Sequence, residues 1–218
     1  DLRQQVLRRV NAGDEARLAL EGTELLVSES GVDHRIELSQ LPATAGRGLA
    51  LLGSGTFDPP TSPLDAQGQG NPYPSYSFAA HVAVVEVDVE LGTTRVVKII
   101  AAHEVGRAIN PKLLEGQVHG GIAQGLGLAL MEEYQSPLTE NLHDYLIPTF
   151  GDVPEIEIML IEDPDLQGPS GAKGVGEPGL IPTAPAILGA IRHATGVRLT
   201  HLPVLPHRLW QALREQQS

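Results

Sequence analysis

Alternating apolar and polar residues give the clearest structural signal in this chain. Between Ala83 and Glu90, alanine and valine at odd positions alternate with mostly acidic residues at even positions, which is typical of a half-buried strand. A turn at 91–94 and a second apolar run at 95–102 follow. The pattern therefore predicts an antiparallel hairpin.

Capping residues mark two helices. Asn110 and Pro111 are typical of the cap and the first position of a helix, which we predict to run to about Glu133. A second helix is predicted from Thr183 to a C-terminal cap at Gly196, because glycine readily adopts the left-handed conformation that ends many helices.

The remaining segments are shorter. Residues 2–10 have helical spacing and precede a short β-rich stretch, and residues 155–162 favour a strand. Residues 201–213 predict a short strand followed by a last amphipathic turn. Hairpins and helices are mixed without regular βαβ alternation, so we predict an α+β fold.

A polar stretch rich in glycine and proline, 53–77, divides the chain. Connections of this length are uncommon inside a compact domain unless they are functional or reach toward a partner. We predict the end of a preceding α+β subdomain at 1–60, a surface connection at 61–77 and a C-terminal subdomain at 78–218.

Composition excludes several classes of function. The net charge of −12 repels phosphate backbones and anionic membrane surfaces, so nucleic acid is not an expected partner. The absence of cysteine excludes disulfides, iron–sulfur ligation and a cysteine nucleophile within this sequence. No apolar stretch is long enough for a membrane span. The start at Asp1 lacks signal-peptide features, and we expect a processed product or a fragment of a longer polypeptide.

The helix predicted at 111–133 contains five glycines, each of which costs about 1 kcal/mol in a helix interior. This cost is usually offset when another backbone or a ligand packs against the bare helix surface that the glycines leave. One face carries Gln117, Gly120, Gly121 and Gln124. Two amides beside two glycines could hydrogen-bond a flat polar heterocycle, but the pattern by itself favours tight helix–helix packing with the glutamines at its rim.

The second candidate feature is Glu177. It is a lone carboxylate in the glycine-rich loop 168–179, and Pro178 follows it directly. A confined carboxylate can act as a general base, whereas the alternative is a solvated surface glutamate. The loop also matches the G-x-G-x-x-G dinucleotide pattern. We reject that interpretation because Glu177 and Pro178 stand where helix N–H groups should face a pyrophosphate.

Other catalytic patterns are not supported. The histidines, chiefly His81, His103, His119 and His143, form no i, i+4 pair of the kind that binds zinc on a helix. We assign them surface or hydrogen-bonded structural roles and predict no metal bound directly by the protein. No G-x-S-x-G sequence occurs, so a serine hydrolase is not supported.

Several long segments in order carry a family resemblance over roughly 75–213. They are SYSFAAHVAVVEVDVELG, AAHEVGRAINPKLLEGQVHGGIAQGLGLALMEE, DYLIPT, and GPSGAKGVGEPGLIPTAPAILGAI with ATGVRL. Together they resemble the C-terminal half of the molybdopterin-binding subunit of the molybdenum hydroxylases, the xanthine dehydrogenase and aldehyde oxidase family. Glu104 departs from the family pattern, which predicts Asp there. Family subunits of this kind are several times longer.

The resemblance implies a set of site residues. The glutamate of the family's GVGE motif is the base next to molybdenum, and it corresponds to Glu177. The face from Gln117 to Gln124 would contact the pterin. The backbone around Lys173, Gly174, Val175 and Gly176 would surround the metal end of the cofactor. For the Lys173 side chain we favour a surface or buttressing role over direct catalysis.

The resemblance also implies cofactors and partners. The cofactor is molybdenum–molybdopterin, as the pterin alone or as a dinucleotide, with iron–sulfur clusters and FAD on other domains or subunits. The expected partners are the remaining N-terminal part of the molybdopterin subunit, those redox domains and a small-molecule substrate. The parent enzyme would be a cytoplasmic oxidoreductase that hydroxylates N-heterocycles, such as purines, or oxidises aldehydes with oxygen from water.

The isolated chain is expected to be inactive, because the remaining N-terminal part would carry other pterin-binding loops and much of the substrate pocket. The alternative is a non-catalytic assembly or interaction module that retains the fold.

Overall fold

The computed structural model describes residues 1–42 and 51–216, so residues 43–50 of the predicted first segment lie outside the described residues. The chain divides into two compact units, Asp1–Asp58 and Pro59–Ser218. Within the two described ranges, none of the helices combines the length and the apolar character that crossing a membrane requires.

The first unit consists of one helix and a three-stranded antiparallel sheet. Its elements are α1 (Leu2–Val10), β1 (Arg17–Glu21), β2 (Glu24–Glu29) and β3 (Val32–Glu37), with the strands in sequence order. Val6 and Leu7 pack with Val27 of the central strand in a small buried core. The predicted helix and β-rich stretch are thereby confirmed.

The second unit contains a three-stranded sheet and three helices. Its elements are β4 (Ala79–Asp88), β5 (Thr93–Glu104), α2 (Pro111–Leu130), β6 (Glu155–Ile161), α3 (Thr183–Thr195) and α4 (Pro206–Gln216). The sheet has the order β4-β5-β6, in which β4 is antiparallel and β6 is parallel to the central β5. The polar stretch after Gly53 carries no helix or strand before β4, as predicted.

The β4–β5 hairpin confirms the prediction from alternation. Odd-numbered residues of β4 are partly buried and even-numbered residues are exposed. Gly92 in the turn has a φ of 69°, and a Cβ atom there would lie 2.2 Å from the carbonyl oxygen of Pro206. Glycine is required at this position because α4 begins directly against the turn.

Both predicted helix caps are confirmed. The Asn110 side chain accepts a hydrogen bond from the N–H of Leu113 at 3.1 Å, so α2 starts at Pro111 as expected. It ends at Leu130, three residues before the predicted limit of Glu133. At the end of α3, Gly196 adopts a φ of 77°.

Two features differ from the sequence-based predictions. The tail contains no strand within residues 201–216; instead α4 is an 11-residue helix with Leu209 and Leu213 buried one turn apart. Its proline start and its i, i+4 apolar pair favour a full helix.

The second difference is that β5, α2 and β6 form a parallel βαβ connection. The local patterns did not indicate it, because the long segment between α2 and β6 separates the paired strands.

The core of the second unit lies between the sheet and the helices. It joins inward-facing residues of β5 to apolar residues of all three helices. The fully buried members include Ile99, Ala101, Val118, Ile122, Ile187, Ile191 and Leu209. This packing fixes the end of β5, the glycines of α2 and the start of α3 relative to one another.

Candidate functional site

The two features predicted to face a ligand lie next to each other. The glycine-rich loop contacts α2 through its backbone: a Cβ atom on Gly121 would lie 2.6 Å from the carbonyl carbon of Gly179 and 2.8 Å from the nitrogen of Leu180. A Cβ atom on Gly179 would lie 3.4 Å from the carbonyl oxygen of Gln117. Glycine at position 121 therefore permits an approach that a side chain would block, whereas a Cβ atom on Gly179 would make only a tight van der Waals contact.

The start of α3 packs against the same helix one turn further on. A Cβ atom on Gly125 would lie 2.4 Å from the Cβ atom of Thr183, which is completely buried. Packing against the loop backbone at Gly121 and against the Thr183 side chain at Gly125 thus offsets the helix-propensity cost of these two glycines. It also means that Gly121 lies beneath the loop, and its contact with a pterin stays a prediction.

The rest of the predicted face of α2 is open. Gln117, Gly120 and Gln124 are exposed, and a Cβ atom on Gly120 would meet no heavy atom within 4 Å. The amides are therefore available to donate and accept hydrogen bonds beside a bare helical backbone. This arrangement fits the edge of a flat polar ring, although the ligand itself stays a prediction.

Glu177 lies in the turn between the glycine-rich loop and α3. Its carbonyl oxygen accepts hydrogen bonds from the N–H groups of Leu180 at 2.9 Å and Ile181 at 3.3 Å. Among residues 1–42 and 51–216, its exposed carboxylate has no side-chain hydrogen bond or ion-pair partner. The turn is thus held by its backbone, while the carboxylate is free to accept a proton from a bound molecule.

The backbone on the N-terminal side of Glu177 is exposed at both glycines. Cβ atoms on Gly174 and Gly176 would meet nothing within 4 Å, whereas Val175 between them is partly buried against the core. The Ser77 hydroxyl donates to the Gly174 carbonyl oxygen at 2.9 Å. This segment is consequently anchored at one end and open along its glycines.

Lys173 has a structural partner. Its Nζ lies 2.8 Å from Oε2 of Glu104 and donates to the Tyr76 carbonyl oxygen at 3.1 Å. Both charged side chains are only 11% exposed. The hydrogen bond to Glu104 raises the pKa of Lys173, although burial opposes this effect. The ion pair supports the buttressing role expected for the lysine, and direct contact with a cofactor stays a prediction.

Glu104 was not among the predicted site residues. It ends β5, and its other carboxylate oxygen accepts a hydrogen bond from the N–H of Gly106 at 2.7 Å. Through Lys173, which is four residues before Glu177, this carboxylate is linked to the loop that carries the predicted base. The sequence offered two signals, an acidic residue at the end of an apolar strand and a departure from the family pattern, and neither indicates a partner.

A second set of contacts attaches the loop to the segment after β5. Gly106 pairs with Ala172, the Arg107 N–H donates to the Gly171 carbonyl oxygen at 2.7 Å, and the Lys173 N–H donates to Val105 at 3.2 Å. Gly106 has a φ of 65°, and a Cβ atom there would lie 2.5 Å from the Gly171 oxygen. The close approach of two backbones again explains the glycine.

Two of the predicted structural histidines form a pair, in which His103 is buried and His81 is partly buried. Nε2 of His81 and Nε2 of His103 are 2.8 Å apart, and Nδ1 of His81 lies 3.1 Å from the Thr183 hydroxyl. His119 contacts the carbonyl oxygen of Glu115 within α2. Across the described ranges, histidine, aspartate and glutamate form no group of three or more able to hold a metal ion.

Comparison with known proteins defines the class of this chain. A family model described as the molybdopterin cofactor-binding domain matches residues 1–154, which is more than half of the sequence. The chain belongs to this family. The matched range includes α2 with its glycines and glutamines and ends before the loop that carries Glu177.

Individual relatives extend the similarity. The xanthine dehydrogenase molybdenum-binding subunit of Escherichia coli O157:H7 is 39% identical over 62% of this chain and 19% of its own length. The 6-hydroxypseudooxynicotine dehydrogenase complex subunit gamma of Paenarthrobacter nicotinovorans is 33% identical over 83% of this chain and 23% of its own. The crystal structure of the aldehyde oxidoreductase from Desulfovibrio desulfuricans matches with a TM-score of 0.68 at 37% identity, over 70% of this chain and 17% of that one.

These comparisons confirm the family resemblance, the mixed helix-and-sheet fold and the link to a molybdenum–molybdopterin cofactor. The chain spans about a fifth of the length of the relatives that it matches. It therefore corresponds to one part of such a molybdenum-binding subunit.

Proposed function

We propose that this chain forms the part of a molybdenum hydroxylase that contacts the pterin and supplies the catalytic base. The observation that carries the proposal is the contact between α2 and the glycine-rich loop. It brings together two elements that meet at Gly179: α2 with the exposed amides of Gln117 and Gln124, and the loop with Glu177, whose carboxylate has no side-chain partner among the described residues.

The residues present fit the cofactor. Gly120 on α2, and Gly174 and Gly176 in the loop, leave backbone open to close approach. The two glutamines can pair with the polar edge of a pterin, since each amide both donates and accepts hydrogen bonds. When bound, the molybdenum cofactor supplies a Lewis acid and an electron acceptor for oxidation of an electron-poor carbon with water as the oxygen source.

Each residue then has a defined task. Gln117, Gly120 and Gln124 bind and orient the pterin, and the backbone of 174–176 surrounds the metal end. A carboxylate oxygen of Glu177 accepts the proton that is released as the oxygen nucleophile forms. Lys173 and Glu104 hold the loop without taking part in the proton transfer.

The parent activity follows from the relatives. We propose hydroxylation of an N-heterocycle, such as a purine, or oxidation of an aldehyde, by an assembly that includes the rest of the molybdopterin subunit. Iron–sulfur clusters and FAD on other domains or subunits would carry the electrons away. The absence of cysteine from this chain is compatible with such a division of roles.

Substitution of Glu177 tests the proposal in the complete enzyme. We expect Glu177→Gln to leave molybdenum and pterin content unchanged and to remove turnover, because the amide keeps the shape and cannot accept the proton. Glu90→Gln, in the exposed hairpin turn, is the matched control and should retain activity. Substantial turnover by Glu177→Gln would exclude this residue as the base.

The alternative function is a non-catalytic assembly module, and metal analysis separates the two. We expect molybdenum when the chain is produced with the rest of its complex and the cofactor synthesis machinery. A complex that assembles normally and never holds molybdenum would support the module instead.

A further inference from the structure

A pair of imidazoles, one buried and one partly buried, has no part in the proton transfer proposed above. His103, on the central strand β5, is 2% exposed, and His81 lies on the neighbouring strand β4. Their Nε2 atoms are 2.8 Å apart and their rings are nearly perpendicular, at 72°. A direct contact between two ring nitrogens at this distance requires one to carry hydrogen and the other to be bare.

The neighbouring contacts fix the direction of this hydrogen bond. His81 Nδ1 lies 3.1 Å from the Thr183 hydroxyl, which lies 3.3 Å from the Gly179 carbonyl oxygen. With both rings neutral, all three contacts are hydrogen bonds at once only if His103 Nε2–H donates to His81, His81 Nδ1–H donates to Thr183, and Thr183 donates to Gly179. The opposite direction would divert the Thr183 hydroxyl hydrogen away from Gly179.

The surroundings keep both rings uncharged at neutral pH. Burial, with a smaller effect from His103, lowers the pKa of His81 to about 4, and burial also lowers the pKa of His103. The strand neighbours of His103 are Ala79 and Leu160, neither of which is charged. Helix α3 contributes the hydroxyl of Thr183, and among the described residues neither imidazole forms a hydrogen bond or ion pair with a carboxylate.

We propose that His103, His81 and Thr183 form a directional hydrogen-bond relay that positions Glu177 for proton abstraction. The relay ends on the carbonyl of Gly179, two residues after Glu177, and α2 supports the same turn from Gly121. The turn is thus fixed by the relay at Gly179 and by the helix at Gly121, while the Glu177 carboxylate has no side-chain partner in the described ranges. The three relay members are positioning residues, and the inference rests on the proposed role of Glu177 as the base.

Nuclear magnetic resonance of the full 218-residue chain with ¹⁵N-labelled histidine tests the relay itself. We expect opposite neutral tautomers, with hydrogen on Nε2 of His103 and on Nδ1 of His81. We also expect a scalar coupling between the two Nε2 nuclei across the hydrogen bond. A charged ring at pH 7, the same tautomer for both residues or the absence of coupling would overturn the relay. This measurement does not depend on catalysis.

Paired substitutions test the positioning role in the complete enzyme. Thr183→Val keeps the shape and removes the hydroxyl, whereas Thr183→Ser keeps the hydroxyl and removes a methyl group. We expect Thr183→Val to lower kcat by about 10- to 100-fold at unchanged KM and molybdenum content, since small displacements of a catalytic group have effects of this size. Thr183→Ser should retain most of kcat.

A control at the other end of α3 completes the design. Thr195 also donates its hydroxyl to the carbonyl oxygen four residues earlier, at 2.8 Å, so Thr195→Val removes a similar hydrogen bond away from the relay. It should leave kcat nearly unchanged. Equal losses from Thr183→Val and Thr183→Ser, or no loss from either, would overturn the positioning role. If the unsubstituted complex holds molybdenum and lacks turnover, the proposed function fails, while the tautomers still report on the relay.

Discussion

The ammonium group of Lys173 lies 2.8 Å from the Glu104 carboxylate and ties the loop that carries Glu177 to the end of strand β5. Both side chains are nearly buried, at 11% exposure. The Tyr76 carbonyl oxygen takes a second hydrogen bond from the same ammonium group. An ion pair with this burial fixes a loop more effectively than an exposed pair, because water competes less for the charges.

Removal of one partner of the Lys173–Glu104 ion pair should therefore destabilise the chain. We expect Lys173→Met to lower the free energy of unfolding by about 2 kcal/mol, because the Glu104 carboxylate is left poorly solvated and unpaired. Denaturant titration at pH 7 measures the change. Glu104→Gln combined with Lys173→Met should lose less than the sum of the two single variants, because the double variant removes both charges.

Lys98→Met is the matched control for this ion pair. Lys98 bridges Glu155 and Glu157 at 3.0 and 2.8 Å, but those carboxylates are 70% and 53% exposed. Its loss should therefore destabilise the chain less than the loss of Lys173. Equal effects of the two lysine substitutions would contradict the special role of the buried pair.

Alanine substitutions at two adjacent glycines of α2 should change the free energy of unfolding in opposite directions. A methyl group on Gly121 would collide with the backbone of Gly179 and Leu180, so Gly121→Ala should destabilise the chain by about 2 kcal/mol. Gly120 has open space around its Cβ position, and Gly120→Ala should stabilise it by about 0.5–1 kcal/mol through helix propensity.

The same measurement contains its control, because the two glycines are neighbours in one helix. Gly189→Ala, at an open position of α3, should also stabilise the chain. A stabilising effect of Gly121→Ala would show that the loop does not rest on the helix as described.

The His81–His103 pair should make stability depend on mildly acidic pH. Burial lowers the pKa of His81 from its ordinary 6.5 to about 4 in the folded chain, so the unfolded chain binds more protons between these values. The stabilisation is complete above pH 6.5 and is lost as the pH falls toward 4. We expect a loss of about 2 kcal/mol across this window, measured by urea titration at several pH values.

Protonation of carboxylates changes the stability of the chain in a lower pH range. Hydrogen bonds from Thr149 lower the pKa of Asp152, and the stability that they provide is present above the ordinary carboxyl pKa and is lost only below about pH 4. The double substitution His81→Gln with His103→Gln should flatten the profile of stability against pH between pH 6.5 and 4.5. An unchanged slope in the double variant would refute the prediction.

Much of the fold was readable from local patterns. Alternation predicted the β4–β5 hairpin, and Asn110 with Pro111 predicted the start of α2, because these signals involve residues close together in the chain. The parallel pairing of β6 with β5 was not predicted, since parallel strands are joined by long connections that leave no local signature. The prediction for the tail was wrong for a different reason: the buried pair Leu209 and Leu213 covers a single turn, which is too short a pattern to predict the full length of α4.

The sequence by itself determined the family resemblance and the residue types of the candidate site: a carboxylate among glycines, and two amides on a glycine-rich helix. Only the tertiary structure decided which glycines serve packing and which remain open, with Gly121 beneath the loop and Gly120 uncovered. It alone paired Lys173 with Glu104 and His81 with His103 and Thr183. These partners are between 22 and 102 residues apart, and only the packing of the sheet against its helices brings them within hydrogen-bonding distance.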